Sequence, residues 1–231
     1  EIFQEAHNEF LRVEAERETL KETLRSSVQV LVELLGTINP TAFGCATRVQ
    51  RTVKQISTNR FQNTWQFELA ALLSQIGCVT VPLNTLNKVT AGKPLSEEEE
   101  RIFSNHPRIA ENFLRQIPRL EEIASMVANQ QKPPQYSDPS VELTMQNRVE
   151  LGAQLLRVAI DFDHLLSGGF SHKGAIAELQ EHPEHYDSRI VALLETVTIQ
   201  STQKQPRYVH AHELSNGMII DEEITSLHGV V

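Results

Sequence analysis

The sequence predicts an all-α protein. Apolar residues recur at helical spacing through most of its 231 residues. The first 35 positions alternate steps of three and four between apolar residues. β-prone residues gather only beyond Arg207, where Asn216-Gly217 offers a turn between Tyr208-Val209 and Met218-Ile219-Ile220. The length suffices for one sizeable core and a small appendage.

Phe3, Ala6, Phe10, Val13, Arg17, Leu20, Leu24, Ser27, Leu31 and Leu34 form an a/d seam in which only Arg17 and Ser27 are polar. So narrow a stripe suits pairing with a second helix, Arg17 fixing register at some cost in stability. An amphipathic helix folded back on its own domain is the alternative. The preferred expectation is a coiled-coil stalk over residues 1–36 that holds a homodimer through Phe10, Leu20, Leu24 and Leu31. Thr37 to Pro40 ends the helix, because a residue before proline resists the α region. Glu1 already lies inside it, which points to a piece of a longer polypeptide with a further module upstream.

A second helix is predicted over 41–57, burying Val49, Val53 and Ile56, and a third over 62–76, turning Trp65, Leu69, Leu72, Leu73 and Ile76 inward. Gly77 to Pro94, with Pro82, Gly92 and several Asn and Thr residues, reads as a loop. Ser96 and Glu99 make a capping box, so Glu97 to Glu100 read as an acidic first turn suited to the macrodipole and not as a metal site. His106-Pro107 separates this helix from one over 107–116, and another follows over 119–130. Gln131 to Ser140, with three prolines, reads as a loop. A long helix over 141–166 has Val149, Leu151, Leu155, Val158, Phe162 and Leu165 to bury, and Gly168-Gly169 ends it. Helices over 172–181 and 187–197 complete a domain spanning 37–200, and 201–231 make the small strand-containing tail.

Lys plus Arg number 21 against 30 Asp plus Glu, a net charge of −9. That balance argues against general affinity for nucleic acid and against electrostatic docking on anionic lipid. No run of about 18 apolar residues offers a membrane span, and no signal peptide is read at the start. Cys45 and Cys78 are too few for a disulfide framework and read as free thiols in a reducing cytoplasm.

Several motifs follow one another in a telling order. They are Cys45-Ala46-Thr47-Arg48-Val49, then Leu72-Leu73-Ser74-Gln75-Ile76-Gly77-Cys78 with Val81-Pro82 behind it, then Leu86-Asn87-Lys88 and Leu95-Ser96 before the glutamates. His106-Pro107-Arg108-Ile109-Ala110 and Ala159-Ile160-Asp161-Phe162-Asp163-His164-Leu165 come next. In order, spacing and apolar framing the chain, over about residues 28–231, resembles the HD-GYP family. These are cyclic-di-GMP phosphodiesterases of the HD superfamily, often carried as output domains of bacterial response regulators. No motif is intact, and Gln131-Lys132-Pro133-Pro134 stands where the family has Gly-Tyr-Pro.

The resemblance implies an HD-domain-like helical bundle whose metal centre has lost its ligands. The family's first His falls on Cys45, its His-Asp pair on Ser74-Gln75, its His-His pair on Asn129-Gln130 and its late Asp on Ile160; only His106 keeps a ligand-like residue. Amides and a hydroxyl are poor ligands for a transition metal, so no metal, no cofactor and no catalysis are expected. The resemblance implies instead a signalling output domain, driven by an upstream receiver domain through the coiled coil and read by a protein partner. The vacated pocket near Cys45, Gln75, His106 and Asn129 is the second place to look. A receptor that binds cyclic di-GMP or a similar nucleotide without hydrolysis is the rival, with Lys88, Lys93 and Arg108 on the phosphates. Residual metal-dependent phosphodiesterase activity ranks third.

Other candidates are weaker. His182-Pro183-Glu184-His185 and His210-Ala211-His212 read as exposed surface histidines. Asp161 and Asp163 flank an apolar Phe162 and read as ion-pairing or capping groups, and Cys45 and Cys78 as buried thiols that fill space.

Overall fold

Asn39 and Pro40 set the first corner of the molecule. In the computed structural model, which describes residues 2–58, 60–61, 64–134, 147–198, 225–226 and 229–230, the chain divides into two units, Glu1–Val197 and Thr198–Val231. Helix α1 (Ile2–Ile38) ends at Asn39, whose side-chain oxygen accepts from the Ala42 N–H at 3.1 Å. Helix α2 (Pro40–Thr58) then begins with proline at its first position, where a missing N–H costs nothing. Helix α3 (Trp65–Leu73), a 3₁₀ turn (Ile76–Thr80), α4 (Leu83–Thr90), α5 (Glu97–Ser104), α6 (His106–Leu114) and α7 (Glu121–Ala128) follow. Helix α8 (Arg148–Ser167), α9 (His172–Gln180) and α10 (Ser188–Leu193), which runs into a second 3₁₀ turn (Leu194–Thr196), complete the first unit. Every described element of this unit is helical, as the apolar periodicity requires.

The core gathers Val49, Val53 and Ile56 of α2, Phe67 and Leu73 of α3, Met126 of α7, and Leu155 and Phe162 of α8. Arg48 of α2 clamps Asp163 of α8 with two hydrogen bonds of 2.6 and 2.9 Å, and Asp163 is buried. Asp163 is thus an ion-pairing residue. The capping box is present in both halves: Glu99 N–H donates to Ser96 Oγ at 3.3 Å and Ser96 N–H to Glu99 Oε2 at 2.8 Å.

Three expectations change. The expected loop from Gly77 to Pro94 contains a 3₁₀ turn and α4, because Cys78, Val81 and Leu86 make a small second core with Ala42. Pro82 tolerates the N-cap of α4 for the same reason that Pro40 tolerates its own place. The third helix stops at Leu73, where the Ser74 hydroxyl donates to the Ala71 carbonyl at 2.8 Å. The third change is in α1. Val28 and Val32 are buried and Leu24 packs beside them, a four-residue step that leaves the expected seam at Ser27, which is exposed. Arg25 reaches Glu68 of α3 at 3.2 Å. The C-terminal part of α1 is therefore folded onto its own domain, while Phe10, Val13 and Leu20 remain exposed. The side chain of Leu31 lies outside the described residues, as do 135–146, where the long helix was expected to start; α8 begins at Arg148 behind an Asn147 cap.

In the second unit Thr225–Ser226 (β1) pairs antiparallel with Gly229–Val230 (β2), Thr225 opposite Val230 and Ser226 opposite Gly229. The strands expected at Tyr208-Val209 and Met218 to Ile220 lie outside the described residues. Among the described residues no helix is long and apolar enough to cross a membrane.

Gly77 is where the 3₁₀ turn meets α6. A Cβ there would stand 1.9 Å from the His106 carbonyl oxygen and 3.0 Å from the Ala110 nitrogen, both backbone atoms. Gly77→Ala is expected to destabilise the domain by about 3 kcal/mol, at the upper end of overpacking costs, in urea unfolding. A loss below about 1 kcal/mol would show that the turn can retreat.

Candidate functional site

Gln75 precedes the 3₁₀ turn, His106 opens α6, Gln130 lies just past α7, and Ile160 belongs to α8. These elements converge on a cavity of about 220 Å³. Its wall includes Gln75, His106, Gln130 and Ile160, together with Arg157, Asp161 and His164 of α8, Gln131, and the apolar Val89 and Phe103. Four of the seven positions implied by the resemblance therefore share one wall.

The polar groups inside are tied to one another. His106 Nδ1 lies 2.6 Å from the Phe103 carbonyl, which can only accept, so Nδ1 carries the proton and Nε2 is an acceptor. Gln130 Nε2 supplies one hydrogen to His106 Nε2 at 3.2 Å and the other to the Ser74 carbonyl at 3.2 Å. Both donors of the amide are spent, and its buried Oε1 has no partner. Gln75 Nε2 donates to Ser74 Oγ at 3.3 Å, and its Oε1 accepts from the Cys78 thiol at 3.3 Å. Burial pushes Cys78 up to about 12, so the thiol keeps the proton it donates. Burial also pulls His106 down to about 4, with the Phe103 carbonyl opposing and His164 assisting. His106 is a neutral imidazole whose lone pair is occupied.

A second network closes the α8 side. Tyr186 Oη donates to Asp161 Oδ2 at 3.0 Å, and His164 Nδ1 lies 4.0 Å from Asp161 Oδ1. Burial and the Asp161 carboxylate both raise the Tyr186 phenol, so it remains a donor. The Arg157 guanidinium lies 5.3 Å from the centre of the Tyr186 ring and donates through Nη1 to the Gln131 carbonyl. Sequence reasoning missed Arg157 and His164 and assigned Asp161 only a structural role. The available signal was their spacing, since 157, 160, 161 and 164 share one face of a helix.

The remaining expected positions are elsewhere. Cys45 is buried beside the Arg48–Asp163 pair, where burial and then Asp163 raise its thiol, and it does not line the cavity. Both cysteines are free. Ser74 contributes its carbonyl through Gln130, and Asn129, at the end of α7, is half-buried outside the wall. The three basic residues expected on phosphates do not meet at the cavity: Lys88 is bound to Glu99 at 2.7 and 2.8 Å, and Lys93 and Arg108 are exposed. His182 and His185 are exposed and share Glu184 at 3.2 and 3.6 Å; His210 and His212 lie outside the described residues.

This wall does not fit a divalent metal. Among the described residues no three His, Cys, Asp or Glu side chains group to hold one. The ligand-like positions offer neutral amides, an imidazole already engaged and a hydrocarbon at Ile160; the wall's one carboxylate, Asp161, accepts from Tyr186 and has only His164 beside it, at 4.0 Å. The family model for the HD domain matches residues 29–190, which is 162 of the 231 residues. No curated protein matches the chain.

Stability should carry the signature of His106. Its pKa falls from 6.5 unfolded to about 4 folded, so between those values the unfolded chain binds more protons. Its contribution is complete above about pH 6.5 and is lost as the pH falls towards about 4, a change of about 3 kcal/mol. Urea unfolding of the wild type and His106→Asn at about pH 7.5 and about pH 4.5 measures it, the variant lacking this part of the pH dependence. Equal pH dependence in the two proteins would refute the assignment.

Proposed function

This chain belongs to the HD-domain family, and from that premise we propose that it is a degenerate HD-GYP-type member, a non-catalytic signalling output domain that works by dimerisation and protein contact. The hydrogen bond from Gln130 to His106 Nε2 carries this reading. Phosphodiester hydrolysis by an HD centre needs metal-activated water. Here the imidazole that would bind the metal is instead the acceptor of a neutral amide network. Asp161, the carboxylate on the same wall, is held by Tyr186.

Phe10, 62% exposed, with Val13 and Leu20, supports dimerisation through the N-terminal part of α1. Val28 and Val32 seat the other end of the helix in the core. A receiver domain upstream that changed the pairing of two α1 helices would thus act on a helix already packed against its domain. A protein partner reads that change, and a cytoplasmic setting suits the free thiols. Enclosure of cyclic di-GMP is less well supported, since a cavity of about 220 Å³ is below the roughly 300 Å³ at which sites for drug-sized ligands begin and the three basic residues stand away from it.

Two measurements test the proposal. Protein incubated with Mn²⁺ or Fe²⁺ and desalted is expected to retain no stoichiometric metal and to leave cyclic di-GMP intact; bound metal with turnover would overturn it. In sedimentation, Phe10→Glu with Leu20→Glu is expected to weaken the dimer by roughly 100-fold or more, because two apolar side chains per helix leave the seam. These positions are preferred to Leu24, which packs on the core. A dimer of unchanged strength would remove the stalk from the mechanism.

A further inference from the structure

The non-metallic reading leaves a cavity with unmet chemistry. Gln130 is 2% exposed, and its Oε1 is a buried acceptor with no donor, both N–H groups being spent on Ser74 and His106. On the same wall Arg157 Nε is a buried donor with no acceptor. The guanidinium has no carboxylate within ion-pairing distance among the described residues; it meets the Gln131 carbonyl and the Tyr186 ring. A buried unmet acceptor and a buried unmet donor each forfeit their hydration if nothing answers them. Val89, Phe103 and Ile160 supply an apolar side.

We propose that this cavity binds a small carboxylate that also bears a hydroxyl or an amine, held between Arg157 and Gln130. The carboxylate accepts from Arg157 Nε, the geometry for which guanidinium is suited. The hydroxyl or amine donates to Gln130 Oε1, and the carbon skeleton lies against Val89, Phe103 and Ile160. His164 adds a further donor on the anionic side. The size agrees: a cavity of about 150 Å³ accommodates benzene, and this one, at about 220 Å³, takes a molecule slightly larger. Asp161 keeps its charge although the Tyr186 hydroxyl donates to it, so the Arg157 guanidinium is the group that must outweigh its repulsion of the anion.

The inference rests on the non-metallic reading, so the full chain is titrated in EDTA and its metal content is measured in the same sample. Calorimetry with L-lactate, L-malate and L-threonine is expected to find at least one ligand with Kd below about 1 mM. Propionate, which lacks the donor, and lactamide, which lacks the charge, should bind at least about tenfold more weakly than lactate or not at all. Ile160→Phe, which fills the cavity from α8, should abolish binding, and Arg157→Met should weaken it at least about tenfold. No heat from any of the three at about 10 mM would overturn the inference, as would equal binding of propionate and lactamide or binding that survives Ile160→Phe. The comparison among ligands on the wild type stands even where a variant fails to fold. Failure with metal-free protein sinks the ligand alone, whereas stoichiometric metal retained in EDTA sinks the reading beneath it.

Discussion

The His106 carbonyl lies where a side chain at residue 77 would have to be, and the site depends on that contact. Glycine lets the 3₁₀ turn press its backbone against the start of α6. The contact sets the distance between Gln75, two residues before it, and His106, and so makes one wall of residues separated by 31 positions in the chain. Asn39 holds the same turn from the other side, its amide donating to the Cys78 carbonyl at 3.4 Å. The turn is held on both faces, by the close backbone approach at Gly77 and by the Asn39 side chain.

Charge is distributed to match. A metal centre concentrates charge in the interior and balances it with ligand carboxylates. Here Gln130 bonds to a neutral His106 and to the Ser74 carbonyl, His106 to the Phe103 carbonyl, and Gln75 to the Ser74 hydroxyl and the Cys78 thiol, which satisfies most of their hydrogen-bonding capacity. A buried carboxylate is paired outside that cavity, where Arg48 grips Asp163 with bidentate geometry that repays the desolvation and fastens α2 to α8. Cys45 beside this pair stays protonated, because burial and the neighbouring carboxylate act in the same direction. The interior that remains is a hydrogen-bonding surface rather than an acid or a nucleophile.

Elements whose periodicity or cap is strong were legible in the sequence: α2 from Val49, Val53 and Ile56, and α5 from Ser96 and Glu99. Helix α4 was hidden because it has only eight residues and its buried side rests on Thr85 and Leu86 amid Asn and Lys. The site was legible by position but not in full. Asn129 and Gln130 are neighbours at a helix end, and neighbouring side chains point about 100° apart, so pattern alone could not say which one turns inward. Helical spacing puts Arg157 and His164 on the face of Ile160 and Asp161, but nothing local says that Tyr186, on the approach to α10, is brought onto that face of α8. That part of the site is tertiary.

Gln75 belongs to two places at once. It lines the cavity, and it also lines an apolar crevice with Val32 and Asn39 at the base of α1 and Ala42, Phe43 and Ala46 of α2. Gly36 permits this packing, since a Cβ there would stand 2.8 Å from the Phe43 ring. The part of α1 that is exposed and the part that is buried are therefore segments of one continuous helix whose seat shares a wall residue with the cavity around His106. A close-packed interior transmits a displacement rather than absorbing it. Gln75 reaches the His106 side through Ser74, whose hydroxyl accepts from Gln75 and whose carbonyl accepts from Gln130, so a shift of α1 on its seat bears on those hydrogen bonds. Helix α1 and the cavity around His106 are thus joined through one buried residue, Gln75, so the packing of the N-terminal helix and the shape of the candidate site are set together.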